Sequence, residues 1–300
     1  MVTISPSARI DMHTHSLRSD GTDQPGDLIR AAAAAGLDYV ALTDHDTTAG
    51  WAEARAAAVE VGIGFIPGIE LTTRSFGSDG GRGFSVHMLA YLPNPDDAGL
   101  MAAIGGSVES RLERLKQIAD RLSEDFDVTW EHVLEVLADG KVAGRPAIAD
   151  AMIARGIYET REPFFDVVRP GTKYYVPNLE IPSTLDGIRL IRAAGGVPVI
   201  AHPMARGYGP KPGDAMPREH FLELIEAGIG GFETRHRDVP PHVREWLEDL
   251  AEEFGLFTTG SSDYHGHGKP NPIGENLTYP GVLEAILGQT SNSGLALLKA

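Results

Sequence analysis

Residues 9–15 read Arg-Ile-Asp-Met-His-Thr-His, a short apolar stretch that ends in two histidines separated by one residue. The same arrangement, an apolar stretch followed by an ionisable side chain, recurs along the chain. Helix-like segments lie between most of these stretches, and this alternation predicts a mainly parallel β-sheet with crossover helices. The predicted strands are 9–12, 38–42, 64–69, 84–92, 197–201, 231–234 and 256–260.

Proline and glycine mark the ends of the first predicted helix. Pro25 suits its first turn, where a missing N–H costs little, and Gly36 ends it. A second helix is expected to run to Val61, with Thr47 or Thr48 as its N-terminal cap. Both helices fit the crossover role that a parallel sheet needs.

The alternation is interrupted between residues 95 and 182. We expect this segment to be a helical insertion, and residues 1–94 and 183–300 to form the barrel domain. The insertion is expected to contribute to substrate binding. Its predicted helices are 97–125, 130–137 and 146–154, and residues 158–182 are predicted to be irregular.

The charge balance excludes some classes of partner. The 300 residues include 42 Asp or Glu and 26 Lys or Arg, so the formal net charge is −16. Proteins that hold long duplex nucleic acid carry a basic face, and none is visible. Long duplex nucleic acid and anionic membrane are therefore disfavoured as partners. A small phosphorylated substrate is compatible, since one local site can be cationic within an acidic protein.

The chain contains no cysteine, which excludes disulfides, thiolate metal sites and cysteine nucleophiles. Any metal must therefore be held by His, Asp and Glu. Residues 1–10 lack the pattern of a signal peptide, and no apolar stretch is long enough to span a membrane. We expect a cytoplasmic protein. Its oligomeric state is not readable from the sequence.

Histidine and carboxylate side chains occupy equivalent positions at the ends of the predicted strands. In a closed β/α barrel the carboxyl ends of all the strands meet at one mouth. Seven of the 11 histidines belong to this set, which a polynuclear metal site explains most simply. The set comprises His13, His15, His45, Glu70, His202, His236, Asp263 and His265, with His87 inside its own predicted strand.

The spacing within two of the motifs supports chelation. Residues i and i+2 of a strand point to the same face. His13 and His15 can therefore bind one ion together, and Asp263 and His265 repeat the spacing. A single such pair is a weak signal, but several segments with matching geometry favour a metal site.

These segments resemble the motifs of the PHP (polymerase and histidinol phosphatase) superfamily. Residues 10–16 and 19–22 are similar to its first motif. The helical segment, with Gly-Arg-Pro at 144–146, resembles the stand-alone bacterial phosphoesterases of the superfamily, which include nucleoside 3′,5′-bisphosphate phosphatases and 5′-to-3′ RNA-trimming enzymes. The later motifs are matched at 42–46, 67–70, 201–203 and 260–265.

The resemblance implies an α/β fold, a distorted (β/α)7 TIM-like barrel, with a site for two or three divalent metal ions. Imidazole and carboxylate ligands suit Mn, Fe or Zn. The resemblance implies that His13, His15, Glu70 and Asp263 hold one ion, that Glu70 bridges to a second ion completed by His87 and His202, and that Asp20, His45 and His265 hold the third.

Candidate substrate contacts are fewer. Arg145 is the first candidate for a phosphate, because the resemblance places its motif near the substrate, although Ala147 stands where histidine is common. Arg18 follows the first motif and either reaches the mouth or is solvated. In the superfamily the region around His236 often reads Glu-Val-Tyr-His. His236 is expected either to contact a metal or a phosphate, or only to line the rim of the barrel mouth. Asp11 is expected to anchor or orient a ligand histidine.

Some residues are expected to have ordinary structural roles. Asp44 and Asp46 flank His45, and one of them is expected to cap the following helix. Three further histidines fall on predicted helices and are expected to be exposed to solvent. They are His132, His220 and His242.

We therefore expect a metal-dependent phosphoesterase that hydrolyses a phosphomonoester of a small nucleotide, such as a nucleoside 3′,5′-bisphosphate or AMP. A metal-bound water is the expected nucleophile, with His202 or His236 among the candidate proton donors. The alternatives are a 5′-to-3′ exonuclease on short oligonucleotides, a phosphatase of the histidinol-phosphate type, and a catalytically silent module that supports a partner.

Overall fold

The structure is a computed structural model that describes residues 3–75, 84–138, 143–177, 181–205 and 216–299. Seven described strands form one sheet, and neighbouring strands in the sheet are also consecutive along the chain. The sheet curls into a nearly closed barrel of the α/β class. The described strands are β1 (Ile10–Asp11), β2 (Tyr39–Leu42), β3 (Gly64–Ser75), β4 (Phe84–Tyr91), β5 (Val197–Ile200), β6 (Gly231–Arg235) and β7 (Phe257–Gly260).

The sheet is mainly parallel, as predicted, and β4 is the exception, because it runs antiparallel to both β3 and β5. Parallel neighbours need a crossover of about a dozen residues or more. Only residues 76–83 separate β3 from β4 in the sequence, which is too few. The other neighbouring pairs are parallel, as predicted.

Ten α-helices are described, and most of their ends agree with the sequence pattern. They are α1 (Pro25–Ala34), α2 (Trp51–Val61), α3 (Ala98–Leu122), α4 (Trp130–Ala138), α5 (Arg145–Ala154), α6 (Glu162–Val167), α7 (Thr184–Ala193), α8 (Arg218–Glu226), α9 (Pro241–Phe254) and α10 (Pro280–Gln289).

Two local predictions about helices were wrong. Helix α2 begins after Gly50 without a side-chain cap, so neither Thr47 nor Thr48 caps it. Helix α6 lies within the segment predicted to be irregular. The prediction that α2 stops at Gly62 is correct, because this glycine has a φ of 73°, a left-handed conformation that glycine adopts without a steric penalty.

Apolar side chains form separate layers for the barrel and for the helical segment. Leu115, Ile148 and Phe164 are fully or almost fully buried within a cluster built from α3 to α6. Leu100 and Ile104, at the start of α3, instead pack with the side chains of the barrel layer. Helix α3 therefore connects the two cores, which places its middle turns beside the mouth of the barrel.

The gap between the first and last strands is filled by an irregular segment. Thr278 forms a bridge with Ile10 of β1. Its hydroxyl also accepts a hydrogen bond from the Gly260 N–H of β7 (2.9 Å). This segment links β1 to β7, so the ends of all seven strands surround one opening. Among the described helices, none combines the length and apolarity needed to cross a membrane.

Candidate metal centre

The first two histidines lie side by side at the mouth of the barrel. His13 and His15 follow β1, and both side chains are fully buried. Thr14 between them turns away and donates its hydroxyl to the carbonyl of Ala41 (2.6 Å), as strand alternation requires. The Nε2 atoms of the two imidazoles are therefore 2.9 Å apart.

Glu70 of β3 lies at the centre of the cluster and is 1% exposed. Its Oε2 atom is 3.2 Å from His13 Nε2 and 3.0 Å from His15 Nε2. The same oxygen is 3.2 Å from His45 Nδ1, because a backbone bridge pairs His45 with Glu70. One carboxylate oxygen thus faces three imidazoles.

The other oxygen of Glu70 faces a different pair of histidines. Oε1 is 2.9 Å from His87 Nδ1 and 3.2 Å from His202 Nε2. His87 lies inside a strand rather than at its carboxyl end because β4 is antiparallel and starts near the mouth. Glu70 therefore lies between two groups of imidazoles.

A second carboxylate, Asp20, approaches from the loop that follows β1. Its Oδ1 atom is 3.1 Å from His265 Nε2 and 3.6 Å from His15 Nδ1. Its Oδ2 atom is 3.8 Å from His45 Nε2. The Asp20 side chain is 37% exposed, so this part of the cluster faces the opening.

Asp263 completes the cluster from the loop after β7. Its Oδ1 atom is 3.6 Å from His13 Nε2 and 3.5 Å from His15 Nε2. Its Oδ2 atom faces outward, 2.7 Å from Lys269 Nζ and 3.3 Å from His236 Nε2. The backbone of Asp263 has a φ of 50°, a left-handed conformation that aspartate tolerates better than most residues.

Electrostatics keep the two central carboxylates ionised, which is the state that a cation needs. Burial would raise the pKa of Glu70, but the facing imidazoles, His45 foremost, hold it well below its usual range. Burial similarly opposes ionisation of Asp263, yet the hydrogen bond from His236 and the charge on His13 hold its pKa well below the usual range. Burial lowers the pKa of His15 to about 3, so its imidazole is neutral.

Glu233 of β6 is a buried carboxylate that the sequence reasoning missed. Oε1 lies 3.0 Å from His13 Nδ1, and Oε2 accepts the backbone N–H of His202 (2.8 Å). The Ser261 hydroxyl also donates to it. Although burial opposes its ionisation, His13 lowers the pKa of Glu233 to about 2. An acidic residue in the middle of a predicted strand was the available signal.

The donor set fits divalent metal ions. Two ligand atoms that each lie about 2.1 Å from one ion are roughly 3 Å apart, close to the separations seen between the carboxylates and imidazoles. Two buried nitrogens, His45 Nδ1 and His265 Nε2, lie 3.2 and 3.1 Å from carboxylate oxygens but make no aligned hydrogen bond within the described residues. The groups that can hold an ion are His13 with Glu70 and His202, His13 with His15 and Asp263, His15 with Asp20 and His265, and His15 with His45 and Glu70.

Asp11 does not contact the imidazoles of the cluster. Its buried carboxylate accepts the backbone N–H groups of Ser262 (3.0 Å) and Gly274 (2.9 Å), and lies 3.4 Å from the N–H of His13. Burial raises its pKa to about 6 despite these hydrogen bonds. Asp11 therefore anchors the loop that carries Asp263.

The expectation that Asp44 or Asp46 caps α2 was wrong. Asp44 accepts hydrogen bonds from the hydroxyls of Ser16 and Ser19, each at 2.7 Å. Asp46 accepts the N–H and the hydroxyl of Thr72, at 2.9 and 2.8 Å. Both carboxylates therefore hydrogen-bond to the segments on either side of His45. Neither reaches the first turn of α2, which begins after Gly50.

The three helix histidines differ in exposure. His242 is exposed and His132 is half-buried. His220 is 7% exposed, and its Nε2 lies 2.7 Å from the Ser75 hydroxyl oxygen, so the prediction of solvent exposure was wrong there. All three lie outside the metal cluster.

The two arginines predicted for phosphate occupy different places. Arg18 has a half-exposed side chain 3.2 Å from Glu53, and it borders a cavity of about 310 Å³ together with His45. Arg145 begins α5, with Cζ 5.6 Å from the ring centre of Phe165. Within the described residues it forms no ion pair with the cluster.

Arg111 of α3 is a second residue that the sequence reasoning missed. It lines the same cavity, and its Nη2 lies 2.9 Å from Asp46 Oδ2. Its Nε has no hydrogen-bond partner within the described part of the chain, although the side chain is only 16% exposed. Nothing in the local sequence of a long amphipathic helix distinguishes this arginine from its solvated neighbours.

Comparisons with known proteins agree with this geometry. Residues 11–142 match the PHP domain. The chain is 30% identical over 264 residues to the 3′,5′-nucleoside bisphosphate phosphatase of Chromobacterium violaceum, covering 87% of this chain and 89% of that protein. It is 29% identical over 272 residues to the phosphoribosyl 1,2-cyclic phosphate 1,2-diphosphodiesterase of Eggerthella lenta, covering 85% and 94%.

A solved structure from Bifidobacterium adolescentis, described as a proposed metal-dependent phosphoesterase, is 39% identical and superposes with a TM-score of 0.85. The superposition covers 95% of this chain and 97% of the Bifidobacterium adolescentis chain. The resemblance found in the sequence motifs thus extends along both chains. The chain belongs to the PHP domain family and is a metal-dependent phosphoesterase, a hydrolase of phosphoric ester bonds.

Proposed function

We propose that the protein hydrolyses a phosphomonoester of a small nucleotide, such as a nucleoside 3′,5′-bisphosphate or AMP, with two or three divalent ions. The observation that carries this proposal is the position of Glu70. Its two oxygens face separate groups of imidazoles at 2.9–3.2 Å. Bridging carboxylates of this kind are expected where adjacent metal ions clamp a phosphate group.

We assign the ligands to three positions. The contacts of Asp263 Oδ1 and Glu70 Oε2 with the first histidine pair support one ion there. The contacts of Asp20 support another ion near the opening. The proposed sets are His13, His15, Glu70 and Asp263; Glu70, His87 and His202; and Asp20, His45 and His265. Mn, Fe and Zn all accept imidazole and carboxylate ligands.

Divalent ions held there supply an activated water and neutralise the phosphate oxygens. The protein itself orients the carboxylate of Asp263. His236 Nδ1 accepts the backbone N–H of Asp238 (3.1 Å), which leaves Nε2 to face Asp263 Oδ2 at 3.3 Å. His202, His236 and a metal-bound water remain the candidate proton donors to the leaving group.

The cavity beside His45 supports a nucleotide substrate. Its volume of about 310 Å³ is bordered by the cationic Arg18 and Arg111. Its lining also includes apolar side chains of the helical segment, among them Val108 and Leu112. Such a cavity suits a ligand that has an anionic end and a flat apolar end. We accordingly propose that residues 95–182 act as the substrate-binding insertion on a barrel of residues 1–94 and 183–300.

Arg145 retains a proposed role within the helical insertion rather than at the metals. Burial lowers the pKa of Arg114 to about 10, and the charges of Arg145 and Arg74 act in the same direction. Three guanidinium groups that repel one another favour an anion between them. A second phosphate group on the substrate would satisfy this requirement.

The test is a substrate panel assayed with the Mn(II)-loaded protein. The panel contains a 3′,5′-bisphosphonucleotide, AMP, histidinol phosphate, a 5′-phosphorylated oligonucleotide and a cyclic phosphodiester. We expect the highest kcat/KM on one of the mononucleotides, and loss of turnover in Asp263→Ala. Preference for the oligonucleotide would identify an exonuclease instead. Absence of turnover on every phosphoester, with metal bound, would refute the proposal.

A further inference from the structure

A second cavity, of about 330 Å³, lies outside the barrel between α9 and the strands β6 and β7. None of its lining residues belongs to the metal cluster. Glu233 of β6 faces inward to His13, whereas Thr234 faces outward and donates to Glu248 of α9 (3.2 Å). The cavity is therefore separated from the metal centre by the sheet itself.

Arg235 of β6 lines this cavity and is only 9% exposed. Its Nε and Nη2 atoms are buried and have no hydrogen-bond partner within the described residues, and no carboxylate there lies within ion-pair distance. The guanidinium stacks on Tyr279, with Cζ 3.8 Å from the ring centre. A buried arginine is normally paired, and a buried polar group without a partner indicates a missing water or ion.

A second cation borders the same end of the cavity. Arg244 of α9 donates its Nε to Glu248 (2.9 Å), and Glu248 also receives the Thr234 hydroxyl. Near these two guanidinium groups, Glu248 is the carboxylate in contact, and its Oε1 already accepts from both Arg244 and Thr234. Glu252, the other acidic lining residue, lies two turns further along the helix, about 12 Å from Arg244. Burial lowers the pKa of Arg235; Tyr279 and Glu248 oppose this shift, and the charge on Arg244 adds to it.

We propose that this cavity is an oxyanion site that takes a phosphate group between Arg235 and Arg244, with the ring of Tyr279 at its outer edge. The planar fork of arginine matches the oxygens of phosphate, and each guanidinium contributes charge-assisted hydrogen bonds. Tyr279 is 64% exposed, and its ring stacks on the guanidinium at the solvent side. This site is independent of the function proposed for the metal centre.

The direct test is anomalous diffraction from crystals of the metal-loaded protein soaked in tungstate, a heavy analogue of phosphate. We expect one peak within hydrogen-bonding distance of Arg235 and Arg244, in addition to any peak at the metal centre. Density at the metal centre alone would overturn the proposal. This readout requires no turnover, so a failure of the proposed phosphatase activity leaves the test intact.

Calorimetric titration with inorganic phosphate provides the quantitative test. Arg235→Gln is expected to weaken one class of phosphate sites by at least tenfold, and Arg235→Lys to weaken it less. Arg189→Gln, a change at an exposed arginine paired with Asp186, is the matched control and should bind as the unmodified protein does. If Arg235→Gln fails to fold, Arg244→Gln at a half-exposed side chain replaces it.

Two calorimetric results would contradict the assignment. One is unchanged phosphate binding in the folded variants of Arg235 and Arg244. The other is acetate binding at this site as tightly as phosphate, which would identify a carboxylate site instead.

Discussion

Replacing Glu233 by glutamine should weaken metal binding without removing any proposed ligand. The carboxylate faces Nδ1 of His13 at 3.0 Å and so keeps the proton on Nδ1, which leaves Nε2 free to bind an ion. A glutamine can present its NH2 group to the same nitrogen. The imidazole proton would then move to Nε2, the atom that must be unprotonated to bind a metal.

The size of the effect follows from the contacts of Glu233. A hydrogen bond to a charged group contributes about 1.5–3 kcal/mol, and a neutral one about 0.5–1.5 kcal/mol. The loss of charge at the bond to His13 therefore costs about 1–1.5 kcal/mol, or roughly a tenfold loss of metal affinity. This value lies at the lower end of the roughly 10–100-fold range for partners of metal-binding histidines.

The assay is competition for Mn(II) between the protein and a chromogenic chelator. Glu253→Gln is the matched control, because Glu253 is half-exposed and pairs with Arg218 on the surface. The control should bind Mn(II) like the unmodified chain. If folded Glu233→Gln binds Mn(II) within twofold of the control, Glu233 does not orient His13 and the reasoning fails.

Four further predictions concern the centre, the cavity and the insertion. Glu70→Gln should lower the amount of bound metal, measured by elemental analysis, and reduce kcat by more than about 100-fold. The reason is that an amide cannot replace a carboxylate that faces both groups of imidazoles. Retained metal with full turnover would contradict this prediction. Removal of the metal with EDTA should lower Tm by about 5 °C, since a ligand at 100 times its Kd stabilises the folded state by about 2.7 kcal/mol. An unchanged melting curve would argue against a preformed metal site. Arg111→Met should raise KM for a bisphosphonucleotide about 10- to 150-fold while kcat changes less, as expected for one lost charge-assisted contact of about 1.5–3 kcal/mol. Steady-state kinetics measures both constants, and an unchanged KM would contradict the assignment. Ile148→Ala should destabilise the insertion by about 2–5 kcal/mol in urea unfolding, because this side chain is fully buried.

The sequence predicts the barrel well where local signals coincide with the topology. Gly62 ends α2 because a left-handed residue is needed there, and the spacing of His13 and His15 follows directly from strand alternation. The orientation of β4 was not predicted, because an apolar strand looks the same in either direction. Only the short connection from β3 indicated the antiparallel pairing.

The proposed ligands were recognisable because they follow strands and match known motifs. Glu233 and Arg111 were missed for a different reason. Their roles depend on which side chains the fold brings next to them, His13 in one case and Asp46 in the other. Arg145 stays a prediction: its motif suggested a position near the phosphate, and the described structure shows its guanidinium 5.6 Å from the ring centre of Phe165.

The most direct test of the central claim is stepwise reconstitution of the metal-stripped protein with Mn(II), with hydrolysis of a 3′,5′-bisphosphonucleotide as the readout. The cluster around Glu70 predicts that the stripped protein is inactive and that turnover rises with added Mn(II) until two or three ions are bound per chain. Turnover that persists without metal, or full metal occupancy without any hydrolysis, would contradict the claim that this cluster is a catalytic metal centre.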